Sequence, residues 1–76
     1  MNFIESLTEQ ERQFFKCLQN VDAESLWGLA ISNLVKNPDV ESFRGLVVDL
    51  KSQAQDSESV MLDILGQQCF DNLLTL

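Results

Sequence analysis

The sequence predicts an all-α fold, a compact bundle of four short helices joined by tight turns, and three observations predict it. Apolar residues recur at steps of three and four through most of the chain. Each apolar run is opened by Asp or Thr with an acid two or three residues on, the grammar of a helix start. The stretch 57–76 is apolar nearly all round, which only a helix covered on two sides accommodates. Strand propensity is weak, and Val47-Val48 is too brief to make a strand. Seventy-six residues suffice for a single helical domain, 1–76. A chain of this size buries only about 60% of its unfolded surface, so its stability is marginal.

The first helix draws on Phe3, Leu7, Phe14, Leu18 and Val21, with Asn2/Glu5 and Thr8/Glu11 each spaced as a cap and its third-position acid and a break near Leu7. The second runs from about Ala23 to Lys36, with Leu26, Trp27, Ala30, Ile31 and Leu34 on one face and Asn37-Pro38 as its stop. The third takes Pro38 in its first turn and carries Val40, Phe43, Val47, Leu50 and Ala54 as a narrow seam. The fourth spans Ser57–Leu76 as one helix, with Met61, Leu62, Leu65, Cys69, Leu73 and Leu76 on its main face and Phe70 and Leu74 nearly opposite. Gly28 and Gly45 fall inside helices, where each costs about 1 kcal/mol relative to Ala, so both are expected at close approaches of another backbone.

Asp-x-Glu-Ser occurs at Asp22–Ser25, Asp39–Ser42 and Asp56–Ser59, spaced by seventeen residues. Doubled, that period matches the roughly 34 residues of a tetratricopeptide helix pair. The Leu-Gly and Tyr of that pattern are absent after Trp27, so the recurrence reads as three helix starts, with each Asp acting through capping and first-turn electrostatics.

Twelve acids against five bases give a net charge of −7, and residues 52–76 hold no Lys or Arg. Without a basic stripe there is nothing to displace counterions from phosphates, so no direct nucleic-acid binding is expected. Anionic membrane surfaces are disfavoured on the same ground. No window reaches the ~20 apolar residues of a membrane span, no signal peptide is legible, and the two cysteines lack metal or redox spacing, so Cys17 and Cys69 are expected as reduced core thiols in a cytoplasmic protein.

Catalysis lacks its usual machinery, since the chain has no His and no Tyr and any Ser or Cys nucleophile would lack a base. A calcium loop beginning at Asp56 fails at Met61 and Gln67, where Gly and Glu are required. No enzyme activity, cofactor, metal or small-molecule substrate is therefore expected. Glu9, Glu11, Asp22, Glu24, Asp39, Glu41, Asp56 and Glu58 all fall in a predicted first helical turn, which explains eight of the twelve acids without a partner.

The apolar surplus carries the functional expectation. A bundle helix needs roughly three apolar positions in seven, yet the fourth has ten in its last seventeen residues. Trp27, Leu29, Val48, Phe70 and Leu74 are left over as a contact surface, with Trp27, Phe70 and Leu74 as the partner-binding residues. The reading is a small acidic helical protein-protein interaction module (adaptor, inhibitor or chaperone-like subunit) that contacts a protein partner or a second copy through its apolar C-terminal helix. The alternative is an acidic mimic of nucleic acid that occupies the basic groove of a DNA- or RNA-binding protein.

Overall fold

Caps written in the sequence set three of the helical starts in the computed structural model, which describes residues 2–76. Asn2 Oδ1 accepts from the Glu5 N–H at 2.9 Å and opens a single 3-10 turn, Ile4–Ser6. The chain extends at Leu7, and Thr8 then starts α1 (Glu9–Leu18) with a complete capping box. Thr8 Oγ1 accepts from the Glu11 N–H at 3.2 Å, and Glu11 Oε1 accepts from the Thr8 N–H at 2.9 Å. Two donors that α1 cannot satisfy internally are thereby paired. Phe14, Phe15 and Leu18 form its buried face.

The second helix begins later than its apolar pattern suggests: α2 spans Gly28–Lys36, and residues 22–27 form consecutive turns. Asp22 Oδ1 accepts from the Glu24 N–H at 3.0 Å, the local side-chain bond that competes with a helical start. The turns then fold back onto Gly28, where a Cβ would stand 2.2 Å from the Ala23 carbonyl oxygen. The expected close approach is thus present at Gly28 and comes from the chain's own preceding turn. Leu26 leaves the predicted core stripe for solvent, and Ile31 and Leu34 hold α2 to the core.

Asp39 caps α3 (Val40–Asp56), its Oδ2 accepting from the Ser42 N–H at 2.9 Å, while Pro38 stands just before the cap rather than inside the first turn. The buried stripe of α3 is Phe43, Leu46, Leu50 and Ala54; Val40 and Val47 are only half-buried. Leu46 replaces Val47 in the expected seam because α2 packs along that side, where Leu34 and Leu46 share one groove floor. Arg44 points the other way and ties α3 to the N-terminal segment. Its Nε donates to Glu11 Oε2 at 3.1 Å and its Nη2 to Glu11 Oε1 at 3.3 Å.

The expected fourth helix is two. Gly66 breaks it into α4 (Glu58–Leu65) and α5 (Gln67–Leu74), so the described residues form five α-helices rather than four. Gly66 adopts φ 85° and ψ 161°, a conformation essentially reserved for glycine, and serves as the end of one helix and the start of the next. Its N–H donates to the Leu62 carbonyl at 2.8 Å and its carbonyl accepts from the Phe70 N–H at 2.9 Å, so the corner keeps its backbone bonds. The change of direction lets Met61 and Leu65 enter the core from α4, and Cys69, Phe70 and Leu73 from α5. Helix α5 lies against both α1 and α3, and Asn72 Nδ2 donates to Cys17 Sγ at 3.0 Å across the α1/α5 contact.

The three Asp-x-Glu-Ser copies take three different positions. Asp22 opens a turn, Asp39 caps a helix, and Asp56 is the last residue of α3. An acid at a helix C-terminus meets the negative end of the dipole, so the expected capping role does not hold for Asp56. Asp39→Ala is expected to lower the melting temperature, whereas Asp56→Ala should leave it unchanged or raise it, as thermal melts of the two variants would read.

The glycines give a test with opposite signs. A Cβ at Gly66 or Gly45 meets nothing within 4 Å, so backbone conformation alone decides the effect at each. Gly66→Ala should cost about 1–3 kcal/mol because Ala must enter the positive-φ region. Gly45→Ala, inside α3, should stabilise by about 0.5–1 kcal/mol. Urea denaturation of the two variants would measure both.

Candidate functional site

Several concave regions mark the surface of this fold, and the residues singled out from sequence bear on three of them. The first lies between α1 and α5 and is polar: Glu9, Arg12, Gln13 and Lys16 face Gln68 and Asn72 across it. Its charged groups are partly spent on one another, with Arg12 Nη1 donating to Glu9 Oε2 at 3.2 Å and Gln13 Nε2 to Glu9 Oε1 at 3.3 Å. Cys17 also lines it and accepts from Asn72. Behind it Cys69 is buried, and desolvation together with the adjacent Cys17 sulfur pushes its thiol up to about 12. A thiol protonated across the physiological range is a poor nucleophile, so Cys69 serves as core. Both cysteines are free.

The second region is a groove of about 560 Å³ between α2 and α3. Leu34 and Leu46 form its floor, Trp27 and Ala30 one wall, Gly45 and Asp49 the other, with Asn33, Asn37 and Ser42 at the rim. Trp27 stands half-buried immediately before α2, and its indole N–H is enclosed without an acceptor among the described residues. A buried donor left unpaired costs roughly 1–3 kcal/mol. Leu26 (78% exposed) stands in solvent on the turns before α2, Leu29 (73%) on α2 and Val48 (65%) on α3, none of them in the groove lining. The third region, about 220 Å³, is bounded by Lys51, Ala54, Gln55 and Glu58 from α3 and α4 and by Phe70 and Leu74 from α5.

The residues singled out from sequence therefore separate. Trp27 lies in the α2/α3 groove, Leu74 is exposed beside the smaller cleft, and Phe70, expected on the outside, is 4% exposed and belongs to the core. The expected surface position of Phe70 assumed a helix running straight through residue 66. The Gly66 corner turns α5 so that Phe70 faces α3, leaving Leu74 without the neighbour that was to complete its patch. Leu29 and Val48 are exposed as expected. Ala30, Gly45 and Asp49 line the groove although no apolar surplus marks them in the sequence. A glycine inside the most regular seam of the chain was the signal for Gly45, but it pointed to a close approach, and the structure leaves open space there.

Electrostatics fix which carboxylates remain free. Glu11 lies below the usual carboxylate range, chiefly through its hydrogen bonds from Arg44, and Asp39 does so through the Ser42 N–H. Among the described residues no three His, Cys, Asp or Glu side chains converge as metal ligands, and no helix is long and apolar enough to cross a membrane.

The shifted groups set two limits on stability. Glu11 and Asp39, lowered on folding from ordinary values of 4.5 and 3.8, contribute stability that is present above those values and lost as pH falls through their folded-state ones. Cys69, raised from 9.0 to about 12, contributes stability that is present below 9.0 and lost as pH rises toward 12. Urea midpoints against pH should fall at both ends, Glu11→Gln flattening the acid side and Cys69→Ala the alkaline side. The chain matches no family model, no curated protein and no solved structure.

Proposed function

We propose that this protein is an acidic helical interaction module that binds a protein partner through the α2/α3 face. The observation that carries this reading is the groove with Trp27 in its wall, between two helices that also hold Leu29 and Val48 in solvent. Large apolar side chains held in solvent around a preformed groove are the usual make-up of an interface centre, and Trp is among the strongest interface anchors. The surface differs from the one expected at the C-terminal helix, since burial of Phe70 leaves Leu74 there without its expected neighbour.

Charge favours a different chain over a second copy. Each copy carries a net charge of −7, so pairing identical acidic faces is opposed by repulsion that salt weakens but does not reverse. Mimicry of nucleic acid is the weaker reading, because Glu11 and Asp39 already accept hydrogen bonds from their own chain and Glu9 is paired with Arg12.

A photoreactive residue placed at Leu29 or Val48 should give a discrete adduct with a host protein, and the same group at exposed Asp63 should give none. Leu29→Ser should reduce capture without moving the melting temperature, whereas Leu65→Ala should cost about 2–5 kcal/mol by hollowing the core. Equal labelling from all three positions, or sedimentation as a dimer with the α2/α3 face buried, would refute binding of a separate partner there.

A further inference from the structure

We infer that the α2/α3 groove takes a basic amphipathic helix that crosses α3 at Gly45, with cationic side chains reaching Glu41 and Asp49; this rests on the interaction-module reading above. Glu41, Gly45 and Asp49 follow one another at four-residue steps, which places them along a single line of α3. At 1.5 Å rise per residue the two carboxylates stand about 12 Å apart with a bare stretch of backbone midway. All three residues are exposed; Gly45 and Asp49 line the groove and Glu41 lies one turn beyond its lining, and neither carboxylate has an ion-pair partner among the described residues. The protein's own cations are directed elsewhere. Arg44 is held by Glu11, Lys51 donates to the Leu76 backbone oxygen, and Lys36 lines the opposite side of α2 with Ser32 and Val35.

Gly45 is the second and independent element. In the interior of a solvent-facing helix glycine is among the poorest choices, and no neighbouring atom within 4 Å requires it. Its lack of a side chain is useful to an incoming backbone, since helices approach to about 8 Å only where small residues meet. Ala30 faces it across the groove, with Leu34 and Leu46 between them as an apolar floor. A helix seated there places its apolar stripe on that floor, a small residue over Gly45, and Lys or Arg on the α3 side at a spacing of seven or eight residues. A second copy of this chain cannot supply that pattern, because its longest helix, α3, carries its only two cations seven apart at Arg44 and Lys51, both already engaged.

The test is a display library of amphipathic helices about four turns long, randomised at flanking and central positions and selected on the full chain. Sequences enriched on the wild type should carry two cations seven or eight apart with Gly, Ala or Ser between them. They should lose about tenfold or more in affinity on Gly45→Leu and on the Glu41→Gln/Asp49→Asn double variant, weaken as salt is raised, and bind Leu74→Ser as they bind the wild type. Melting of Gly45→Leu and Gly45→Ala at or above the wild-type temperature shows that loss of binding is not loss of fold. Enriched sequences without cations, or ones that bind Gly45→Leu undiminished, overturn the inference. Binding lost on Leu74→Ser alone moves the site to the C-terminal cleft and leaves the interaction reading standing. Enrichment of nothing at all overturns both.

Discussion

Phe43 has no exposed surface, and its ring is where the N-terminal half of the chain is joined to α3. It meets Phe3 and Phe15 edge-on, each at 5.9 Å between centroids, and Phe14 at 6.3 Å, while Phe3 and Phe15 meet at 4.9 Å. Edge-on aromatic pairs contribute about 0.5–1.5 kcal/mol each beyond the area they bury, a large share of the stability of so small a chain. The Glu11–Arg44 pair spans the same junction one residue further along α3, but it lies at the surface, where water screens it. The rings therefore hold the junction and the ion pair sets its register. Everything else in the fold rests on α3 so placed: α2 along one side, α4 and α5 along the other.

Much of this was legible in the sequence wherever a local signal and the tertiary arrangement agree. The Thr8/Glu11 box, the Asn37-Pro38 stop and the Asp39 cap are chemical statements about three or four residues, and each is found, with Pro38 just ahead of the third helix instead of inside its first turn. What was not legible depends on competition between signals. Apolar periodicity runs unbroken across residues 57–76, so one helix looks sufficient, but a single straight rod cannot put both Met61 and Phe70 into the core. Gly66 resolves that conflict, and only its identity as a glycine after an apolar run announced it. Leu26 fails for the complementary reason: its spacing suits a helix, but Asp22 and the fit of the turns over Gly28 spend those residues on turns.

The candidate site was less legible than the fold because it is made of what is missing. Apolar surplus points to Trp27, Leu29 and Val48, since large side chains that do not fit a stripe can be counted; Leu29 and Val48 are exposed, and Trp27 is half-buried against the core. A groove cannot be counted in this way. It arises where two helices meet over small residues; Ala30 reads from its spacing as part of a core stripe yet is exposed in the groove, and Gly45 carries no periodic signal. Phe70 shows the reverse error, for an apolar residue off the stripe of an assumed helix is off the surface once the helix bends.

The corner at Gly66 also bears on how the chain unfolds. It leaves α4 and α5 with eight residues each, and a helix that short is not stable in water on its own. Neither has a side-chain cap to hold its first turn, so their helicity is supplied by contact with α1 and α3. Backbone order in this part of the molecule and packing of the core are thus a single variable. Helices so short and uncapped are expected to melt together with the aromatic junction, which makes unfolding of the chain one cooperative step with no helical remnant there to seed a partly folded form.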